Sequence, residues 1–155
     1  MDQLLDIIKQ TRTNFIQLLN NSTLEELNAV PSGFNNNIIW NFGHIISSQQ
    51  LLCYRLAGLP MMIKQEYILQ FQKGTRPEQF VGAEEVQDLK ELMLTTIDQL
   101  AEDLKQNVFV NYHAFTTEFG VRLNSTAEAV QFFGIHDGYH YGCAATIKKV
   151  ITNKI

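Results

Sequence analysis

The sequence predicts an all-α protein built as a four-helix bundle. Four long segments place apolar residues at helical spacing, and residues that start or stop helices lie at their ends. No segment opposes this pattern with the strict alternation of a β-strand. The connections differ in length, so the helices need not follow a simple up-down-up-down order.

The first helix is predicted to run from Asp2 to about Asn20. Its apolar stripe comprises Leu4, Leu5, Ile8, Phe15, Leu18 and Leu19. Ser22 and Glu25 have the spacing of a capping box, which predicts a short helix over Leu24 to Asn28. The Pro-Ser-Gly segment at 31–33 then interrupts the chain.

A second long helix is predicted from about Asn37 to about Ala57. Its apolar stripe comprises Ile38, Phe42, Ile45, Ile46, Leu52 and Leu56. Asn36 or Asn37 can cap its first turn, and Gly58 followed by Pro60 is a stop signal.

The connection that follows, residues 59–82, is the longest irregular stretch of the chain. It has room for a short helix between Met61 and Phe71, followed by a turn over residues 73–77. Long irregular connections often carry function, so we expect residues 59–82 and 108–122 to form pocket walls. The candidate wall residues, which could equally be core, are Met61, Met62, Tyr67, Phe71, Arg76, Tyr112 and Phe115.

Two further helices complete the predicted fold. The third runs from Ala83 to about Lys105, and Glu84 and Glu85 at its start suit the helix dipole. Residues 108–122 are aromatic and β-branched and should form a loop or a short extended piece. Ser125 and Glu128 form a second capping box that opens the fourth helix, which ends near Thr152.

Composition excludes several classes of protein. The 155 residues suit a single domain, 1–155, and the 45% hydrophobic and 18% charged residues are typical of a globular chain. The net charge of −4 argues against a nucleic-acid partner, and the one basic cluster comprises Lys148, Lys149 and Lys154.

No apolar run reaches the ~18–20 residues of a membrane span. The charged first segment does not resemble a secretory signal, and the two cysteines suit a reducing compartment, so we expect a cytoplasmic protein.

Three histidines fall on predicted helices. His136 and His140 are four residues apart, which places their Cβ atoms roughly 6 Å apart on one helix face. Such a pair can grip a metal ion, although it also occurs on solvated faces. His44 lies in an apolar stretch where an unpartnered imidazole is costly, and a bundle can bring it to the other two. Three neutral imidazoles suit zinc, nickel, copper or iron rather than calcium or magnesium.

Glycines near these histidines admit more than one interpretation. Gly43 either lets a backbone or ligand approach His44 or packs under Trp40. Gly134, Gly138 and Gly142 recur every four residues, on a face that points away from the histidines. That stripe predicts close packing against a helix, within the bundle or across a dimer, or else a kink.

The roles of five other polar or reactive side chains are considered next. Cys143 can be a fourth ligand, a reactive thiol or a small core residue, and core is the favoured interpretation. Cys53 is expected in the core, and His113 at the surface. Asp137 and Glu66 are the candidate general bases, although Asp137 is more typical of a partner to a metal ligand or of a solvated group.

The pattern Trp40-x-x-Gly43-His44, followed by His136-x-x-x-His140-Tyr141-Gly142, resembles the DinB-like (YfiT-like) superfamily of metal-binding four-helix bundles. The resemblance covers essentially the whole chain, including the Gly-Thr-Arg-Pro turn in the long second connection. It implies that His44, His136 and His140 ligate one divalent metal, usually zinc or nickel. It also implies a homodimer, and relatives among thiol-dependent transferases and isomerases and metal-dependent hydrolases. Relatives often carry Gly-Gln where this chain has Gly142-Cys143, so a role for that glutamine does not carry over.

These observations predict a metal-dependent enzyme that acts on a small molecule. Three histidine ligands leave a coordination position open, as in catalytic zinc sites. The reaction is expected to be hydrolysis or transfer to a low-molecular-weight thiol, with no catalytic side chain assigned. The alternative is a metal-binding or helix-association module without catalysis, in which protein closes the site or no metal binds.

Overall fold

The computed structural model describes residues 1–153 of the chain, and Lys154 of the basic cluster lies outside the described residues. Most of the described chain is helical, as predicted. The elements are α1 (Asp2–Asn20), α2 (Leu24–Asn28), α3 (Ile38–Gln49), a π-helical segment (Gln50–Arg55), α4 (Gln65–Phe71), α5 (Ala83–Lys105), β1 (Phe115–Thr116), β2 (Arg122–Leu123) and α6 (Thr126–Ile151).

The long helices pack side by side. Both α1 and α3 contact α5 and α6, and α4 lies against α3. Two clusters of buried apolar side chains fill the spaces between them, one centred on α3 and one between α1, α5 and α6. Within the described residues, none of the helices has both the length and the apolarity to cross a membrane.

The second predicted helix changes geometry partway along. Asn37 caps α3, because its side-chain oxygen accepts a hydrogen bond from the Trp40 amide at 2.8 Å. The α-helix ends at Gln49 and continues as a π-helix to Arg55, where the Leu56 amide donates to the Leu51 carbonyl. The prediction of a single α-helix to about Ala57 was therefore wrong, because apolar spacing does not distinguish a π-turn from an α-turn.

The helix caps differ in detail from the predicted capping boxes. The box that opens α2 is formed by Thr23 and Glu26, one residue later than predicted, because the Ser22 hydroxyl donates back into α1. Ser125 caps α6 as predicted, but the Glu128 carboxylate accepts from the Asn124 amide instead of the Ser125 amide.

Gly43 allows α4 to lie against α3. A Cβ atom built on Gly43 would lie 2.5 Å from Cγ of Phe71, a side chain of α4 that is fully buried. The close approach predicted for this glycine is therefore made by the Phe71 ring, and not by a ligand or by Trp40. This contact fixes the Phe71 backbone beside His44.

The glycine stripe of α6 is only partly packed. A Cβ at Gly134 would meet Leu4 of α1 at 3.1 Å, whereas Gly138 and Gly142 are exposed and have no neighbour within 4 Å of such an atom. Packing of the whole stripe within the bundle is therefore wrong. Its outer part faces away from the rest of the described chain.

The chain between α5 and α6 carries the only strands of the described residues. Phe115 pairs with Leu123 and Thr116 with Arg122 in a short antiparallel hairpin, in agreement with the predicted extended piece. Gly120 adopts a φ of +74° at its tip.

Candidate metal centre

Three histidines from α3 and α6 form one compact cluster. The rings of His44 and His136 are 5.3 Å apart between centroids, and each lies 4.6 Å from the ring of His140. One ring nitrogen from each residue lies within 4.8 Å of the other two, close enough for the three to hold a single metal ion. All three side chains are buried. The structure thus brings together the three residues that the sequence singled out.

The Nδ1 atom of each ring already faces an oxygen acceptor. His44 Nδ1 lies 2.7 Å from the Phe71 carbonyl, and because a carbonyl only accepts, this nitrogen carries the hydrogen. His140 Nδ1 donates to Asn41 Oδ1 at 2.8 Å, and His136 Nδ1 lies 3.4 Å from Asp137 Oδ1. Nδ1–H donation leaves each Nε2 with a free lone pair, as in metal-bound histidines.

The orientation of Asn41 is itself fixed. Its amide nitrogen donates to the Asn37 carbonyl at 2.8 Å and to Asn36 Oδ1 at 3.1 Å. The amide oxygen is therefore the atom that faces His140. Phe71 and Asn41 thus orient two of the three rings.

Burial keeps two of the three rings, those of His44 and His140, neutral. Desolvation, followed by the proximity of His136, lowers the pKa of His44 to about 4. The same two causes and the proximity of His44 lower the pKa of His140 to about 2. Both rings are consequently unprotonated at pH 7, which is the form that binds metal.

An ion pair without contact to solvent lies behind His136. Arg12 and Asp137 are both fully buried, and Arg12 Nε donates to Asp137 Oδ2 at 2.9 Å. Arg12 also donates to Gln49 Oε1 and to the Met93 carbonyl, so it connects α1, α3, α5 and α6. Asp137 is thus a partner of a candidate ligand, and its interpretation as a solvated group was wrong.

Sequence reasoning did not single out Arg12. The signal was present, because Arg12 falls in register with the buried residues Ile8 and Phe15 on one face of α1. A charged residue inside an apolar stripe requires a buried partner of opposite charge.

A cavity of about 710 Å³ opens onto the histidine cluster. Its walls come from α3, the π-helical segment, the turn after α4, the β-hairpin and α6. Beside the histidines it is lined by Asn36, Trp40, Asn41, Ser48, Leu51, Leu52, Arg55, Leu56, Gln72, Lys73, Gly74, Phe115, Thr117, Glu118, Phe119, Phe132, Tyr139 and Cys143.

Both predicted wall segments contribute, but mostly through other residues. Of the seven side chains proposed, only Phe115 lines this cavity. The others pack in the apolar clusters, lie exposed or line a second cavity: Met61, Met62, Tyr67, Phe71, Arg76 and Tyr112. The helix α4 explains why most of the proposed residues do not line the cavity. Tyr67 and Phe71 lie on its buried face, which packs against α3, so only the turn after α4 lies at the cavity.

Two side chains of α3 flank His44. The Ser48 hydroxyl lies 3.2 Å from His44 Nε2, to which it can donate, and it also lines the cavity. The indole of Trp40 stacks on the His44 ring with centroids 4.7 Å apart, and its nitrogen donates to Thr75. Trp40 is the only tryptophan of the sequence.

The remaining candidates lie apart from the histidine nitrogens. Cys143 is a free, half-buried cysteine that lines the cavity but does not belong to the group that could share one ion. Cys53 is buried in the core, and burial raises the pKa of its thiol. His113 is exposed, and Glu66 lies at the second cavity.

Comparison with known proteins identifies one family. The sequence model of the DinB superfamily matches residues 7–144, which include all of the histidine cluster. No curated protein matches the chain.

Proposed function

The chain belongs to the DinB superfamily, and we propose that it is a metal-dependent enzyme acting on a small molecule. In this proposal the four long helices form the bundle of that family, and His44, His136 and His140 hold one divalent ion, zinc or nickel. The observation that carries the proposal is the arrangement of the three rings. Each donates or presents Nδ1 to an oxygen, which leaves the Nε2 lone pair for a metal ion, and all three residues line one cavity.

The donor set fits a borderline transition-metal ion. Three neutral imidazoles with oxygen partners on their outer nitrogens are typical ligands of zinc or nickel. Three ligands leave at least one coordination position for a water molecule or a substrate atom. When bound, the ion would supply Lewis acidity, which lowers the pKa of a water or thiol ligand and polarises a carbonyl.

Among the two reaction classes, we propose transfer to a low-molecular-weight thiol ahead of hydrolysis. A hydrolase needs a general base beside the attacking water. Of the described residues that line the cavity, Glu118 is the only carboxylate, and it is exposed at the rim and paired with Lys73. Asp137 is committed to Arg12. A thiol bound to such an ion would be deprotonated outright and release its proton to solvent, whereas a bound water would keep a pKa of about 7 and benefit from a base.

The other cavity residues would position the reactants. The Ser48 hydroxyl lies next to His44 Nε2 and can form a hydrogen bond with a polar substrate atom beside the ion. Leu51, Phe119 and Phe132 add apolar walls against which the apolar part of a substrate can pack. Trp40 covers one face of the His44 ring.

The cavity favours catalysis over the alternative of a non-catalytic module. A structural or storage site is closed by protein ligands. Here the histidines lie beside a space of about 710 Å³, which is the size of a small-molecule site. An ion held there would be reachable by substrate.

We also propose that the enzyme is a homodimer that uses the outer face of α6. Ile135 and Tyr139 are 66% and 54% exposed there, beside the uncovered glycines Gly138 and Gly142. Gly138→Leu should convert the dimer to a monomer in light scattering, and Lys149→Leu, farther along the exposed side of α6, should not. An unchanged mass for Gly138→Leu would contradict this interface.

The metal content of untagged protein tests the metal site. About one zinc or nickel per chain is expected in the wild type and much less in His140→Ala, whereas the exposed His113→Ala should match the wild type. Protein that contains no metal, and whose melting temperature does not respond to added zinc or nickel, would contradict the proposal.

The reaction class needs a second measurement. Cobalt-loaded protein titrated with a small thiol should develop thiolate-to-cobalt charge-transfer absorption, which reports direct coordination by sulfur. Metal-loaded protein that shows no such band but hydrolyses ester or amide substrates would favour hydrolysis.

A further inference from the structure

The charged residues at the cavity leave an excess of positive charge. Among the described residues that line it, the charged side chains are Arg55, Lys73 and Glu118. Lys73 Nζ lies 2.6 Å from Glu118 Oε1, so these two charges neutralise each other across the rim. Arg55 remains, at a cavity of a chain whose net charge is −4. The buried Asp137 does not offset it, because Arg12 neutralises that carboxylate.

Arg55 is available to a ligand. Its side chain is exposed, and within residues 1–153 it makes no ion pair or side-chain hydrogen bond. A guanidinium group binds carboxylates and phosphates through two parallel hydrogen bonds. An unpaired arginine at a cavity therefore favours ligands that carry one of these groups.

The position of Arg55 defines the shape of such a ligand. His44, Ser48, Leu51 and Arg55 recur at intervals of three or four residues along α3 and the π-helical segment, and all four line the cavity. Arg55 follows His44 by eleven positions, which corresponds to roughly 16 Å along an α-helix axis. A ligand that reaches both ends is elongated.

Much of the remaining cavity lining is apolar. It includes Leu51, Leu52, Leu56, Phe115, Phe119 and Phe132. Burying an alkyl or aromatic group there removes apolar surface from water, which favours binding. The middle of the ligand is consequently apolar.

We propose that the substrate is an elongated amphipathic anion whose carboxylate or phosphate group binds Arg55 and whose other end reaches the histidine cluster. The assignment rests on the proposed function, because it places the reacting end at His44, His136 and His140. It adds the chemical class of the substrate and makes Arg55 the residue that selects it. A divalent ion on three neutral histidines would raise the positive charge of the cavity further and increase the preference for anions.

Ligands of one chain length and different head groups test this assignment. The probes are decanoate, decyl phosphate, 1-decanol and decyltrimethylammonium, each below its micellar concentration. The fluorescence of Trp40, which lines the cavity, reports their binding to zinc-loaded and to metal-free protein. The variants are Arg55→Gln and the matched control Arg76→Gln, because Arg76 lines the second cavity.

We expect the wild type to bind decanoate or decyl phosphate about tenfold more tightly than decyltrimethylammonium. Arg55→Gln should weaken anion binding about three- to tenfold, change 1-decanol binding less than twofold, and leave the melting temperature unchanged. Arg76→Gln should match the wild type. The affinities of Arg55→Gln for decanoate and decyl phosphate are compared with those of the wild type. The ligand whose affinity falls more carries the head group that Arg55 recognises.

Equal binding of the anion and the cation, or an equal loss for decanoate and 1-decanol in Arg55→Gln, would overturn the assignment. The metal-free titrations decide it even if the histidines bind no ion. Failure of the metal site would appear instead as identical titrations with and without zinc, so the two failures are distinguishable.

Discussion

Arg12 and Asp137 form a buried ion pair, with Arg12 Nε 2.9 Å from Asp137 Oδ2, and the other carboxylate oxygen lies 3.4 Å from His136 Nδ1. One side chain of α1 is thereby connected to a candidate metal ligand of α6 through a single carboxylate. Arg12 is also tied to α3 through Gln49 and to α5 through the Met93 carbonyl. The pair therefore joins the packing of the helices to the orientation of the metal site.

Removing Arg12 should destabilise the protein strongly. Arg12→Met leaves the Asp137 charge buried without its partner, which typically costs about 3–5 kcal/mol. Urea denaturation of metal-free protein measures the loss. Arg12→Met combined with Asp137→Leu should recover much of it, because the uncompensated charge is then absent. A double variant that loses the sum of the two single losses would contradict the ion pair.

Asp137 should also tune the affinity for metal. Asp137→Asn removes the carboxylate that faces His136 Nδ1, and the loss of such a partner typically weakens metal binding about 10- to 100-fold. Competition with a chromophoric chelator measures the dissociation constant for zinc. Asp98→Asn is the control, because Asp98 is exposed and its one ion pair among the described residues is with Lys9. Equal zinc affinity in Asp137→Asn and the wild type would show that Asp137 is purely structural.

The buried histidines should make the metal-free protein sensitive to acid. The pKa of His44 is about 4 in the folded protein and 6.5 when unfolded, so between these values the unfolded chain binds more protons. The free energy of unfolding should therefore fall as the pH drops from about 6.5 to about 4, by roughly 3 kcal/mol from His44 alone. His44→Gln should flatten this dependence in urea titrations, and His113→Gln should not. A His44→Gln profile parallel to that of the wild type would contradict the assignment.

The sequence predicted much of the fold because the relevant signals are local. The apolar stripe of α5 and the acidic residues at its start gave both bounds, Ala83 and Lys105. The two histidines of α6 lie on one face whatever the tertiary structure, and the apolar surroundings of His44 indicated that it needed a partner.

Features that depend on contacts between distant elements could not be predicted from local sequence patterns. The Phe71 carbonyl orients His44 only because α4 packs over Gly43, 28 residues away from it along the chain. Local spacing does not contain that contact. Local spacing also does not distinguish the π-turns of Gln50–Arg55 from a continuing α-helix. These π-turns include Leu52 and Arg55, which line the cavity.

Gly43 should therefore affect both stability and metal binding. In Gly43→Ala the added methyl group would lie 2.5 Å from the Phe71 ring, whose atoms are fully buried and must move with α4. Such overpacking costs about 1–3 kcal/mol. The shift also moves the Phe71 carbonyl that accepts from His44 Nδ1, so the affinity for zinc should fall.

A second glycine of a helix provides the matched control. Gly138→Ala adds the same methyl group where no atom of residues 1–153 lies within 4 Å, and in the monomer it should stabilise α6 by up to about 1 kcal/mol with unchanged zinc affinity. Thermal unfolding of the metal-free variants and chelator competition separate the two effects. If Gly43→Ala matched Gly138→Ala in both measurements, the α4 contact would not be what positions His44. Loss of zinc affinity in Gly43→Ala alone would show that the packing of α4 against α3 maintains the metal site.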